Sequence, residues 1–334
     1  MERSFEEEFE VLESENRKTY SDSIQGYIYH YTGAKGLYNI LKSKTLYFTE
    51  SSYLNDSSEG KYIYSLVEKC LDSSGYCDGF KKDVTKFILN ECTENDSCNS
   101  KYDLRIFNRT SPEQYTPKNK YFLCCFSENN DSLPMWNYYT KENNSAGYCI
   151  GFYISLLYSY VEELKNKYRC DIVKGKIVYN IQEQEKIVTD ALEIGNRHWN
   201  KQEEDCNQSC IIDRLYKFFE SCSFFFKHPS FSNEEEIRIV IKMDVSTFER
   251  HFNINEPFNE IVKLRLQSGM FVPYLELNFS DVIEQKGKQS IINSIKLSPT
   301  ISNEKVKESV GLLTKKFGFP HCEIGFSEIP FRII

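Results

Sequence analysis

The sequence predicts an α+β fold in which a mixed or antiparallel β-sheet forms the core and helices lie on its flanks. The chain has many strand-like runs, and few of them alternate regularly with helices as strands of a parallel sheet do. No Gly-x-Gly-x-x-Gly or Gly-Lys-Ser/Thr loop follows any of these runs, which argues against a dinucleotide-binding Rossmann fold and against a P-loop. Hydrophobic residues make up 40% of the 334 residues, with only 15 glycines and 9 prolines, so we expect most of the chain to fold.

The length of the chain favours one enlarged domain over two separate domains. We expect this α+β domain to span residues 26–334, after an acidic, amphipathic segment at residues 1–25. In that segment Phe5, Phe9 and Leu12 are spaced to line one face of a short helix. This face is expected to dock on the body of the protein or on a partner.

The elements of the domain follow from the spacing of apolar residues, which alternates in strands and repeats every three to four positions in helices. Strands are predicted at 27–31, 45–49, 121–127, 148–154, 236–242, 261–267, 271–278, 291–297 and 323–331. Helices are predicted at 36–41, 57–72, 79–92, 135–139, 181–201, 206–226 and 303–317. Gly269 lies between two strands and predicts a hairpin, and Gly318 is placed to end the last helix.

Two stretches interrupt the strand pattern of the domain. A helical and loop insertion is expected around residues 60–120, because residues 96–120 are polar and contain Pro112 and Pro117. A pair of helices is expected around residues 181–226. Between these stretches, the turn-forming residues at 129–131 separate a predicted strand from the short helix at 135–139.

The composition narrows the possible partners and the location of the protein. The formal net charge is −8, whereas a surface that coats nucleic acid needs clustered Lys and Arg to neutralise phosphates. The chain opens with acidic residues where a secretory peptide has a basic and then an apolar stretch, and no apolar run reaches the roughly 20 residues of a membrane-spanning helix. We therefore expect a cytoplasmic protein that makes no membrane contact.

The 12 cysteines are scattered through a large acidic chain, and Cys124, Cys125 and Cys149 fall in strand-like runs. This distribution favours buried, reduced thiols over a disulfide framework. Cys206 and Cys210 with His198 form only a loose metal-binding pattern, and we expect no metal site.

Short sequence blocks carry a family resemblance, and their order is its specific part. The blocks are Tyr29-His30-Tyr31-Thr32, Gly36-Leu37, Ile40-Leu41, Leu46, Leu54-Asn55-Asp56-Ser57-Ser58-Glu59, Cys125-Phe126-Ser127-Glu128, Met135-Trp136 with Tyr139, Gly147 to Phe152, Glu234-Glu235-Glu236-Ile237-Arg238, and Ser327-Glu328-Ile329-Pro330-Phe331-Arg332. Over nearly the whole chain this order resembles the bacterial family known as domain of unknown function 2971. Phe231 replaces a Trp that is common before the Glu-rich block, and the family has no agreed activity to transfer.

The opening block is also similar to the start of ADP-ribosyltransferase folds, where a strand ending in His-x-Thr precedes a helix with Gly-Leu and Ile-Leu pairs. That partial resemblance implies a split sheet and NAD as a substrate, with no metal. It implies that His30 anchors the adenosine-side ribose and that one of Tyr31, Tyr138 or Tyr139 stacks on nicotinamide. It also implies that Glu236 holds the ribose next to the bond that breaks.

These implications define a predicted site. Glu236 and His30 are the predicted catalytic residues, because a fixed carboxylate stabilises the cation that forms as the glycosidic bond breaks and a neutral imidazole can position the ribose. The predicted NAD-binding residues are His30, Tyr31, Thr32, Asn55, Ser127, Tyr139 and Arg238. The whole hypothesis requires His30 and Glu236 to face one cleft.

Each of these residues also has a structural interpretation. His30 lies in an aromatic strand and could be buried with a backbone partner, and Asp56 is expected to cap a helix, which leaves the role of Asn55 open. Alternation puts Glu236 and Arg238 on one face of a strand, where they could pair or jointly meet a ligand. Core packing is favoured for Trp136 and left open for Tyr139.

Two functions from different classes follow. The first is an NAD-using transferase or NAD glycohydrolase, of the kind found among toxins and phage-defence effectors. The alternative is a non-catalytic sensor of the same fold that binds a nucleotide or a protein. The acceptor of a transferred group and the oligomeric state are not determined by the sequence.

Overall fold

The computed structural model describes residues 3–54, 62–73, 75–86, 119–139, 146–168, 170–201, 207–252, 262–267, 269–280 and 290–330, except for the side chains of residues 164, 166–168 and 250–252. The strands are β1 Tyr27–Gly33, β2 Thr45–Glu50, β3 Asn119–Ser127, β4 Gly147–Tyr153, β5 Asp171–Lys176, β6 Glu236–Asp244, β7 Val262–Gln267, β8 Met270–Asn278, β9 Ile292–Leu297 and β10 Glu323–Phe326. The helices are α1 Phe5–Tyr20, α2 Ala34–Ser43, α3 Tyr62–Ser73, α4 Asp78–Val84, α5 Leu133–Tyr139, α6 Ile154–Tyr168, α7 Ile181–His198, α8 Gln208–Ser223, α9 Val245–Phe252 and α10 Glu304–Lys316.

The chain forms two compact units. The helical unit consists of Met1–Ser23, Asn55–Lys118 and Ile177–Phe231, and the sheet unit consists of Ile24–Leu54, Asn119–Lys176 and Ser232–Ile334. Helix α1 of the acidic N-terminal segment, the described residues 62–73 and 75–86 of the expected insertion, and the helices of the expected pair therefore all belong to the helical unit.

The helical unit is built around aromatic and aliphatic side chains of α1, α3, α4, α7 and α8. Helix α1 begins with a capping box, in which the Ser4 hydroxyl accepts from the Glu7 backbone N–H and the Glu7 carboxylate accepts from the Ser4 backbone N–H. Phe5, Phe9 and Leu12, which lie on one helical face, are buried in this core. The amphipathic face of the N-terminal segment thus packs within its own unit.

In the described residues the sheet unit contains a ten-stranded sheet, and its mainly antiparallel character confirms the mixed or antiparallel sheet that the sequence predicts. Eight strands run in the order β10-β9-β4-β1-β3-β2-β8-β7, β6 pairs with β3, and β5 pairs with β6. Among the pairings between the described strands of this sheet, only β9–β10 is parallel. The sheet is therefore mixed, and helices flank it.

The sheet forks at β3. One edge of β3 pairs with β6 along its whole length, from Asn119 to Ser127. The other edge pairs with β1 only at Ser127, and with β2 only at Phe122 and Leu123. Two branches of strands therefore leave the same edge of β3 at different ends.

The two faces of the sheet are covered differently. On one face, called here the α2 face, Ile28, Phe126, Ile150 and Ile237 join the main core, to which α2, α6 and α10 contribute apolar residues. On the opposite face, called the α5 face, Tyr31 and Cys149 pack with Met135 and Trp136 of α5. Because side chains alternate along a strand, this division assigns every residue of β1, β3 and β6 to one face or the other.

Most predicted elements are confirmed, and the differences have local causes. Ile154 begins α6 and does not extend β4, and residues 119–120 open β3 where a loop was expected. The last strand ends at Phe326 because the following residues turn to bond Asp131. Strand β5 and helices α6 and α9 were not predicted, and the predicted loop at 96–118 lies outside the described residues.

Candidate functional site

The Glu236–Arg238 pair lies at the start of β6 on the α5 face. Ile237, Ile239 and Ile241 turn to the core on the other face, which fixes the side on which the two charged residues lie. The Arg238 guanidinium donates from Nε to Glu236 Oε1 at 2.6 Å and from Nη2 to Oε2 at 3.0 Å. Glu236 is 5% exposed and Arg238 1% exposed, so the two residues form a bidentate ion pair inside the protein.

Tyr139 ends α5 close to this pair. Its side chain is 48% exposed, in contrast to Trp136 one turn earlier, which is buried in the α5-face cluster as expected. The pKa of the Tyr139 hydroxyl is raised, first by removal of the hydroxyl from water and then by the charges of Cys125, Glu236 and Glu234. The hydroxyl is therefore neutral at physiological pH and lies within electrostatic reach of the ion pair.

Asp131 connects the loop before α5 to the end of the chain. Its carboxylate accepts from Trp136 Nε1 at 2.8 Å, from Ser327 Oγ at 2.6 Å and from the Glu328 backbone N–H at 2.8 Å. Lys296 Nζ lies 3.5 Å away. Burial raises the pKa of Asp131, but these donors and the nearby lysine outweigh that effect, and the net shift is downward.

Tyr31 and Ser127 also lie on the α5 face, but their polar atoms are already bonded to the chain. The Tyr31 hydroxyl donates to the Asn129 carbonyl at 2.8 Å and accepts from the Ser132 backbone N–H at 2.9 Å. The Ser127 hydroxyl donates to the Glu234 carbonyl at 2.7 Å and accepts from the Asn129 backbone N–H at 3.1 Å. Both side chains are buried, so we assign them to holding the loop around the site, where the sequence suggested NAD contacts.

His30 does not face Glu236, and the predicted convergence of these two residues is wrong. His30 is two positions from Ile28 on β1, so its side chain lies on the same face of the sheet, the α2 face. There the His30 ring lies edge-on to Phe126, with 5.9 Å between the ring centroids. Its Nδ1 lies 3.3 Å from the Cys125 carbonyl oxygen, on β3 where the sheet forks. The pKa of His30 is lowered by burial. A neutral imidazole with its proton on Nδ1 thus donates to a backbone carbonyl at the fork.

Thr32 does not join the Glu236 group either. Thr32 lies on the α2 face, where its side chain packs so closely on Gly36 of α2 that a Cβ at position 36 would overlap the Thr32 hydroxyl. This close approach explains the glycine in the opening block of the sequence. Asn55, with Asp56 and Glu59, lies outside the described residues.

Sequence reasoning missed Asp131, which was assigned only to a turn. Its importance arises from contacts with Trp136 and with Ser327, which is almost 200 positions away in the chain. No local pattern contains that contact. The sequence did indicate the face on which His30 lies. His30 is two positions from the apolar Ile28 on β1 and so shares its face, whereas Glu236 is an odd number of positions from Ile237, Ile239 and Ile241 and so lies on the face opposite to theirs.

Comparison with known families agrees with part of the sequence resemblance. Residues 135–239 match the family described as "Protein of unknown function (DUF2971)". The matched range includes Trp136, Tyr139, Glu236 and Arg238, so the resemblance is confirmed for this part of the chain. The blocks outside that range, including the one with His30, are supported by the sequence similarity alone. No curated protein and no solved structure matches the chain.

Proposed function

We propose that the α5 face binds an NAD-type nucleotide and that the protein breaks its nicotinamide–ribose bond, either transferring ADP-ribose or hydrolysing NAD. In this proposal Glu236 is the catalytic carboxylate. Arg238 is a positioning residue, since its two donors fix both carboxylate oxygens. Tyr139 supplies the aromatic surface for the nicotinamide or the adjoining ribose.

The observation that carries the proposal is the meeting of distant sequence blocks on one face. Tyr31, Met135, Trp136 and Cys149 form one apolar cluster, and Asp131 ties Trp136 to Ser327. Cross-strand pairing then sets Ser127 beside Glu236 and Cys125 beside Arg238. Residues from six blocks spread over the chain are thus brought to the face of the sheet that carries a buried, oriented carboxylate, which is an arrangement typical of a functional site.

The chemistry of glycosidic cleavage suits this carboxylate. As nicotinamide leaves, positive charge develops on the ribose, and a fixed negative group in a site with little water stabilises that charge. Glu235, next to it, adopts a left-handed backbone with φ of 44°, and such backbone strain is often found at functional sites.

His30 has no ligand contact in this proposal. It is assigned to the fork in the sheet, on the face opposite Glu236. The proposal therefore keeps the carboxylate of the sequence hypothesis and drops its requirement that His30 and Glu236 face one cleft, so the adenosine-side ribose needs another partner.

Binding without turnover is the second candidate function. Glu236 is 5% exposed and both of its oxygens are already bonded to Arg238, which is also how a purely structural ion pair looks. In that case the same face would recognise a nucleotide as a sensor does, and no bond would break.

Nicotinamide release from NAD distinguishes these functions. We expect release by the wild-type protein, a loss of about 100-fold or more for Glu236→Gln, and little change for His30→Phe, whose side chain lies on the other face. Tyr139→Ala is the second test variant, because a half-exposed side chain can be removed with less risk to folding. Melting temperatures recorded for all variants separate lost activity from lost structure.

Two other results of these binding and release measurements would change the assignment. Calorimetric binding of NAD without nicotinamide release would favour the sensor. Absence of both binding and release in the folded wild-type protein would refute the proposed function.

A further inference from the structure

Arg265 lies beside two tyrosine rings on the branch of the sheet formed by β2, β8 and β7. It is on β7, and its Nη2 donates to the Thr49 hydroxyl of β2 at 2.9 Å. The guanidinium lies 5.8 Å from the ring centroid of Tyr47 and 5.7 Å from that of Tyr274. The two tyrosine rings are themselves in contact, with centroids 4.5 Å apart. The guanidinium is thus held in place by two rings and one hydroxyl.

Arg265 has no carboxylate partner among the residues that the structure describes. Glu276, which lies on the neighbouring strand, is paired with Lys263. By contrast, Arg197, Arg214 and Arg238 each pair with a glutamate. The net charge of the chain is −8, yet in the part of the chain that the structure describes no acidic side chain balances the positive charge of Arg265.

This positive charge is only partly solvated. Arg265 is half-buried, and its Nε is a buried donor without a hydrogen-bond partner among the described residues. Burial lowers the pKa of Arg265, although a guanidinium stays protonated near neutral pH. The pKa of Tyr274 is raised to about 12, chiefly by burial, so this tyrosine is neutral and supplies no counter-charge. An anion would be electrostatically favoured at this position.

We propose that Arg265, together with Tyr47 and Thr49, binds the phosphate group of a small-molecule ligand. The planar guanidinium matches the oxygens of a phosphate, and hydroxyl groups supply further donors. Phosphate offers more acceptor oxygens and more charge than a carboxylate, which suits a guanidinium flanked by two hydroxyl-bearing side chains. Tyr47 is 37% exposed, so the site is open to solvent on its side. This inference goes beyond the proposed NAD chemistry and does not depend on it.

Titration calorimetry with inorganic phosphate tests the site in the full-length protein. We expect Arg265→Gln to weaken phosphate binding at least about tenfold, the loss expected for one charge-assisted contact. Arg265→Lys is expected to weaken it less, because the charge remains while the planar fork is lost. Lys263→Gln is the matched control on the same strand and is expected to bind as the wild-type protein does.

Two further measurements show whether the site is separate from the proposed NAD site and whether it prefers phosphate. Tyr139→Ala, at the proposed NAD site, should leave phosphate binding unchanged, so failure of one site is distinguishable from failure of the other. Acetate serves as the carboxylate probe and should bind more weakly than phosphate. Equal phosphate binding by wild type and folded Arg265→Lys and Arg265→Gln would overturn the proposal, as would acetate binding as tightly as phosphate.

Discussion

Glu236 is both the proposed catalytic group and one half of a buried ion pair with Arg238. Two charges removed from water are stabilised mainly by each other, and the bidentate geometry satisfies both carboxylate oxygens. A substitution at either position therefore affects stability as well as chemistry. Activity measurements on these residues need a structural control.

We expect Glu236→Gln to lower the free energy of unfolding by about 3–5 kcal/mol, because it leaves the Arg238 charge buried without its counter-ion. The double variant Glu236→Leu/Arg238→Leu removes both charges and should be less destabilised than the sum of the single variants Glu236→Leu and Arg238→Leu. Urea denaturation of the four proteins in a double-mutant cycle measures the coupling. A coupling energy near zero would contradict the ion pair.

The partly buried imidazole of His30 gives a second expectation, which concerns the dependence of stability on pH. Its pKa in the folded protein is lowered from the ordinary value of 6.5 by burial, so the unfolded chain takes up a proton at a higher pH than the folded chain does. Stability associated with His30 is therefore present above about pH 6.5 and is lost as the pH falls below that value.

The variant His30→Phe tests this expectation, because a phenyl ring can keep the edge contact with Phe126 but does not titrate. At pH 8 it should be less stable by about 1 kcal/mol, for the lost hydrogen bond to the Cys125 carbonyl. Between pH 7 and pH 5 its free energy of unfolding should fall less than that of the wild type. Parallel pH profiles for the two proteins would show that His30 does not contribute.

Asp131 titrates in a lower pH range. Its folded-state pKa is lowered below the ordinary value of 3.8, so the unfolded chain binds a proton first as the solution is acidified. Stability from Asp131 is present above about pH 4 and is lost as the pH falls through the folded-state value. Asp131→Asn should lower the free energy of unfolding at pH 7. Below pH 4 this free energy, measured by urea denaturation, should fall less steeply with pH than that of the wild type. The same fall in both proteins would contradict the role of this carboxylate.

Among the secondary-structure elements, α1 offers a direct test. Ser4→Ala removes the hydroxyl that accepts from the Glu7 backbone N–H and breaks the capping box. The expected cost is about 0.5–2 kcal/mol of unfolding free energy. Ser23→Ala is the comparison variant and should cost less, because Ser23 lies beyond the helix end and its hydroxyl donates only to the Thr19 carbonyl in the last turn. Thermal denaturation followed by circular dichroism measures both.

The elements differ in how far the sequence predicts them. The β7–β8 hairpin was predicted because two β-rich runs flank Gly269, whose φ of 82° requires the conformational freedom of glycine. Helix α2 was predicted from the spacing of Leu37 and Leu41, which are both buried. Strand β5 was missed because its residues alternate in burial but Asp171, Lys174 and Lys176 obscure the apolar pattern. An edge strand with charged residues gives a weak hydrophobic signal.

At the scale of the whole molecule, the pairing of strands determines which residues share a face. The sequence predicted Glu236 and Arg238 together, because they lie two positions apart on one strand. It could not predict the contacts of Asp131 with Trp136 and Ser327, since these depend on how distant loops meet. His30 was placed in one cleft with Glu236 on the resemblance of the opening block alone, whereas its spacing of two positions from the buried Ile28 puts it on the α2 face.

No helix among the described residues is long and apolar enough to cross a membrane. The two compact units interleave along the chain, since each consists of three separate segments. A fold of this kind has many contacts between residues that are distant in sequence, and we expect it to fold more slowly than a helical protein of similar length.

The central claim is that a nucleotide binds on the α5 face and not on the α2 face. Hydrogen–deuterium exchange with and without saturating NAD tests it most directly, because it reports protection separately for each element. We expect slower exchange in α5, Leu133–Tyr139, and at the start of β6 around Glu236 to Arg238, with little change in α2, Ala34–Ser43. Protection confined to α2, or no protection anywhere at NAD concentrations up to saturation of solubility, would contradict the account.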